Sequence, residues 1–111
     1  VVTTGPSTPG ATELWNGSNW TEVNNLNTAR DGLFGSGTYT SSLAYGGYNG
    51  SANVTDTEVW NGTNWTEVNN LNTAKRSGGG AGTSTAALSF GGEVPPGSAV
   101  TAINESWNGT N

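Results

Sequence analysis

Two stretches of this chain are nearly the same. Residues 12–29 read TELWNGSNWTEVNNLNTA and residues 57–74 read TEVWNGTNWTEVNNLNTA. They agree at 16 of 18 positions at an offset of 45, and the two differences, Leu14/Val59 and Ser18/Thr63, are conservative. A third copy opens at residues 104–111 as NESWNGTN, with Trp107 standing 47 residues after Trp60. A second block repeats between them: RDGLFGSGTYTSSLAYGG over 30–47 and KRSGGGAGTSTAALSFGG over 75–92. A unit that recurs in this way cannot bury its own apolar surface and must stack on its neighbours.

A period near 45 residues leaves room for four short strands, the content of one propeller blade. The pattern predicts strand one over 32–38 and 77–83, and strand two over 42–47 and 87–92. Strand three is predicted over 12–15, 57–60 and 104–107, and strand four over 19–24 and 64–69. Leu43/Tyr45 and Leu88/Phe90 alternate with small residues, as half-buried strands do. Asn16-Gly17, Asn61-Gly62 and Asn108-Gly109 predict type I′ hairpins, with both turn residues at positive φ.

The order of a diglycine, TEVW, NW and LNTA resembles the Kelch repeat. That family ends strand two on a diglycine, ends strand three on an aromatic and starts strand four on a Trp. Here these are Gly46-Gly47, Trp60 and Trp65, with Gly91-Gly92, Trp15, Trp20 and Trp107 in the other copies. The chain departs from the pattern in carrying Trp-Asn-Gly where Kelch blades commonly have Tyr-Asp. With its near-identical Asn/Thr-rich copies, it resembles Kelch-like repeats in tail-associated proteins of marine bacteriophages, which implies a virion component. The expected fold is all-β, in Kelch-like β-propeller blades of four antiparallel strands, about two blades per chain. Residues 1–29 supply strands three and four of a shared blade, 30–74 a complete blade, and 75–111 strands one to three of the next.

Propellers have about four to eight blades. The expectation is therefore a ring completed by oligomerisation, since open blade faces are an aggregation hazard and cyclic assembly covers them. The expected partner is the chain itself, preferably as a homotrimer, with a tetramer or dimer as alternatives. Both ends carry a strand-three copy, 12–15 and 104–107, and the sequence leaves open which one the shared blade uses.

Composition narrows the function classes. The chain has 111 residues with 18 glycines, and its ten aromatic residues separate it from disordered chains. Net charge is −5, and Lys and Arg are confined to Arg30, Lys75 and Arg76. That gives no footprint for nucleic acid or an anionic membrane. No apolar run approaches the ~20 residues of a membrane helix, and residues 1–4 do not look like a signal peptide. The chain has neither Cys nor His, so thiolate chemistry, the commonest general base and the commonest transition-metal ligand are all absent.

The remaining constellations read as structural. Gly78–Gly80 lacks phosphate-loop spacing and matches the innermost strand, where blades crowd the axis. The periodic glutamates Glu13/Glu58/Glu105 and Glu22/Glu67 are expected to form hydrogen bonds or to pair with Arg30 and Lys75. Asp31, Asp56 and Glu93 do not form a dense calcium loop. The five Trp are assigned to inter-blade packing. Neither a metal site nor a cofactor is expected. The loop over 48–56 and its counterpart over 93–103 carry the candidate ligand-binding rim: Tyr48, Asn49, Asn53, Glu93 and Pro95.

Three functions compete. One is a non-enzymatic structural and interaction module that self-assembles. The second is a carbohydrate-binding propeller for phage host recognition, with glycans as partners. The third is a propeller enzyme, which the sequence argues against. Kelch-related galactose oxidases use His and a Tyr–Cys crosslink on copper, and this chain has neither His nor Cys. Sialidase-type propellers need an arginine triad, and this chain has two arginines.

Overall fold

A computed structural model of the chain describes residues 2–4, 10–95 and 99–111. The fold is all-β, made of small antiparallel sheets. The N-terminal sheet contains β1 (Val2–Thr4), β2 (Ala11–Trp15) and β3 (Trp20–Val23), in that order. The central sheet contains β4 (Phe34–Thr38), β5 (Ser41–Tyr45), β6 (Thr57–Trp60) and β7 (Trp65–Val68), a four-stranded meander. The C-terminal sheet is built from β8 (Gly79–Gly82) and β9 (Ala87–Phe90), with β12 (Asn104–Trp107) added at the edge. Between β9 and β12 a small hairpin forms from β10 (Glu93–Val94) and β11 (Ala99–Val100).

Every strand expected from the repeat is present, within about three residues at each end. One strand was not expected. Val2–Thr4 pairs with β2 in the place that β5 takes beside β6, so residues 1–29 supply three strands where two were expected. Its sequence, VTT, shares nothing with the LAY and LSF of the other second strands, so the repeat could not reveal it.

The Asn-Gly turns also differ from expectation. Only the glycines have positive φ (98° at Gly17, 99° at Gly62, 97° at Gly109); the asparagines do not. Asn61 instead turns its side-chain oxygen back to accept from the amides of Thr63 and Asn64, each at 2.8 Å. Asn16 does the same for Ser18 and Asn19. The asparagine is needed as an acceptor, not for left-handed backbone.

The core lies between sheets. On one face of the central sheet Ala44, Trp60 and Trp65 pack with Leu26, Val23 and Leu33. On the other, Phe34, Leu43 and Tyr45 pack with Ala87, Val59, Leu71 and Trp107. Strand alternation assigns these sets to opposite faces, so the central sheet is buried on both. The glycine run lets the C-terminal sheet approach: a Cβ on Gly80 would lie 2.4 Å from the Tyr45 hydroxyl, and one on Gly78 would lie 2.5 Å from the Phe34 ring.

Candidate functional site

Each internal junction is closed by a polar clasp that the repeat writes twice. At the first, between the N-terminal and central sheets, the Glu58 carboxylate accepts from the amides of Asn27 (2.7 Å) and Thr28 (3.2 Å). At the second, between the central and C-terminal sheets, Glu105 accepts from Asn72 (2.7 Å) and Thr73 (3.1 Å). The side-chain amide of Asn24 donates to Thr63 and Asn64, and that of Asn69 to Thr110 and Asn111. Each of these bonds joins one blade's LNTA segment or its fourth-strand end to the next blade, so the clasp sets the register of stacking.

The cations divide differently. Arg30 and Glu58 form an ion pair at 3.4 Å with both side chains fully buried. Arg30 also donates to the carbonyl of Ala44. Burial pulls the guanidinium below its ordinary range, and Glu58 opposes the shift. Lys75 holds the same repeat position but donates to the carbonyl of Ile103 instead of pairing with Glu105. Its ammonium is 5.7 Å from the Phe34 ring centre. The shorter reach and single charge centre of Lys leave the carboxylate to the backbone amides.

The outer sheets each turn one apolar face to solvent. Trp15 and Trp20 are 44% and 50% exposed, whereas Trp60 and Trp65 are 1% and 6% exposed. Among the described residues no sheet lies against the face of Trp15 and Trp20, so the inter-blade packing expected of them is not made within one chain. The geometry is nonetheless retained. Trp15 and Trp20 have ring centres 5.3 Å apart at 47°, and Trp60 and Trp65 5.4 Å apart at 50°. On the C-terminal sheet Leu88 and Phe90 are 51% and 43% exposed, while their repeat equivalents Leu43 and Tyr45 are buried.

The predicted rim is partly assembled. Tyr48 exchanges backbone hydrogen bonds with Asp31, and Glu93 with Arg76, one repeat later. The Arg76 guanidinium lies 4.6 Å from the centre of the Tyr48 ring, and its Nε donates to Glu93 at 3.2 Å. The Asn53 side chain donates to the Glu93 carbonyl. Tyr48, Asn53 and Glu93 thus come together. Asn49 forms its own exposed turn with Ser51 and Ala52, and Pro95 is exposed just beyond β10. Sequence reasoning did not single out Arg76, whose side chain meets both the Tyr48 ring and the Glu93 carboxylate. Among the described residues no group of three or more His, Cys, Asp or Glu is placed to hold a metal.

The fold has solved counterparts. The structure of YjhT matches this chain with a TM-score of 0.68 and 17% sequence identity, over 87% of this chain and 34% of that one. At this identity the likeness is one of fold, and the chain spans about a third of that protein's length. No protein-family model and no curated protein matches the sequence. The site must therefore be read from its own geometry. The diglycine contributes to it from inside: a Cβ on Gly47 would lie 2.7 Å from the Asp31 carbonyl, so only glycine lets the rim strands meet here.

Proposed function

We propose that this chain is a non-enzymatic interaction module of Kelch-like blades that assembles with further copies of itself through the outward faces of its outer sheets. One observation carries the reading. The two exposed faces repeat the two halves of a junction that the chain already makes internally. Leu43 and Tyr45 pack against the Trp107 side of the next sheet. Leu88 and Phe90 present the same surface outward, and Trp15 with Trp20 presents the matching one. Covering a half-exposed Trp contributes about 2–3 kcal/mol. Three chains, giving about six blades, are the preferred ring, with four or two as alternatives.

Light scattering across a dilution series tests this. The expected result is a discrete mass of several chains, reduced to that of one chain by Trp20→Asp or Leu88→Asp with the β circular-dichroism signal retained. A folded wild-type chain of single mass at every concentration overturns the reading.

The rim supports a second reading, carbohydrate binding in phage host recognition. Tyr48, Asn53, Glu93 and Arg76 present an aromatic ring beside polar groups, as sugar sites do. Arg76 lies over one face of the ring, leaving at most the other for stacking. A glycan array with wild type and Tyr48→Ala decides it: sugar binding lost in the variant favours this reading, and none at high protein concentration removes it.

A further inference from the structure

Four Asn-Gly pairs stand in exposed turns: Asn16-Gly17, Asn49-Gly50, Asn61-Gly62 and Asn108-Gly109. Asn61 differs from Asn49 in what its turn carries. The turn over 61–64 joins Trp60 to Trp65, which pair across β6 and β7 and are 1% and 6% exposed. On its other side the turn meets the preceding blade. The Asn24 side-chain amide donates to the Thr63 carbonyl at 2.8 Å and to the Asn64 side-chain oxygen at 2.6 Å. The turn is therefore part of the first junction, and both partners in that contact lie inside the chain.

Three features of this turn favour attack of the Gly62 nitrogen on the Asn61 side-chain amide carbon. The Asn61 Oδ1 accepts from the amides of Thr63 and Asn64, each at 2.8 Å. Two such donors stabilise an oxygen on which negative charge develops, as in an oxyanion hole. The Gly62 amide donates to nothing among the described residues, so its proton is open to base. Gly62, at φ 99°, has no side chain, and the nearest atom to a Cβ built there is the Thr40 carbonyl oxygen at 3.7 Å. Water and base reach this nitrogen without obstruction.

We infer that Asn61 is a site of self-modification, closing to a succinimide with Gly62 in the folded chain, and that the product loosens the first junction. The bond from the Gly62 nitrogen to the Asn61 Cγ forms as the Cγ–Nδ2 bond breaks. The amide nitrogen leaves as ammonia, taking up the proton that Gly62 gives. Water then opens the ring at either carbonyl, giving aspartate or isoaspartate at position 61. Aspartate keeps the acceptor and adds charge to its two hydrogen bonds. Isoaspartate adds a methylene to the main chain and moves the acceptor out of the turn. In a short turn between two buried indoles, that change pulls residues 63–64 away from Asn24. The effect is separate from assembly, because one chain supplies both sides of the junction.

The test ages the folded full chain carrying Asn16→Ser, Asn49→Ser and Asn108→Ser, which leaves Asn61 as the remaining Asn-Gly pair. Mildly alkaline buffer is used because the attacking species is the deprotonated Gly62 nitrogen. Peptide mapping by mass spectrometry and labelling by isoaspartyl methyltransferase follow position 61. The expected result is conversion of the amide to acid in the folded chain. The isoaspartate form, isolated chromatographically, should melt about 5 °C below the unaged chain, whereas Asn61→Asp should melt with it. A matching chain that retains Asn49 and carries Asn61→Ser should age without a change in Tm. Circular dichroism before ageing reports that each chain is folded. An Asn61 that stays intact in the folded chain while the urea-unfolded chain converts overturns the inference. So does an isoaspartate form that melts with the unaged chain.

Discussion

At the first junction Trp65 is enclosed by Leu26, Ala44 and Trp60; at the second, the equivalent side chains line an open cleft. The polar clasp is common to both. Glu58 and Glu105 take the same two backbone amides at nearly the same distances. The comparison separates two tasks within one interface. Carboxylate and asparagine hydrogen bonds set where blades meet, and they form whether or not the apolar plug is complete. At the first junction it is the Trp65 indole, packed on Leu26, Ala44 and Trp60, that excludes water. The cations do not follow that division: Arg30 pairs with Glu58 and Lys75 donates to the Ile103 carbonyl, and both side chains are fully buried.

The largest expected effect tests the plug. Trp65→Ala should lower stability by about 3–5 kcal/mol, the cost of truncating a buried aromatic. The equivalent Trp20→Ala, studied at single-chain dilution, should cost less than about 1 kcal/mol. Urea denaturation midpoints of the two variants measure the contrast, and equal losses would break it.

Next comes the clasp. Glu58→Ala leaves Arg30 buried without its counter-ion and should cost about 3 kcal/mol or more. Glu105→Ala removes the same two hydrogen bonds at a wetter site and should cost roughly half as much. Thermal melts of the pair would show whether burial or hydrogen bonding dominates.

A smaller effect concerns Tyr45, whose hydroxyl donates across the second junction to the Leu88 carbonyl. Burial raises its pKa above the ordinary 10.0. The folded state therefore holds this proton more tightly than the unfolded one. The stability it contributes is fully present below pH 10.0 and is lost as pH rises through the raised folded value. Tyr45→Phe should cost about 1 kcal/mol at neutral pH and flatten this alkaline loss, read from unfolding curves between neutral and strongly alkaline pH.

The smallest effect lies between the repeats' inner loops. Ser77 has φ 59°, the value of its counterpart Gly32, and is the only non-glycine residue at positive φ among those described. Ser77→Gly should raise stability by up to about 1 kcal/mol. A decrease on denaturation would show that the Ser side chain compensates for its backbone.

Much of this was legible beforehand, because a strand's place in a blade is a local matter. Period-two alternation and turn residues recur with the repeat, so β5 and β9, or β6 and β12, could be drawn from one pattern. The Val2–Thr4 strand was not legible, since it pairs by position with no shared sequence. Nor was the Asn-Gly turn geometry, because a side-chain acceptor and a left-handed asparagine leave the same letters. The rim was half legible: loops of the repeat pointed to Tyr48, Asn53 and Glu93, while Arg76 became visible as the hub only once its guanidinium lay over the Tyr48 ring.

The sequence by itself determined the repeating unit: the strands that recur with it, their order and the paired Trp positions. The tertiary structure decided which copies of those residues are buried. Residues 12–29 and 57–74 are almost the same string, yet Trp20 is half exposed and Trp65 is enclosed. The physical reason is that burial belongs to the neighbour as much as to the residue. A local pattern specifies which face is apolar, and only the stacking of whole sheets places something against it.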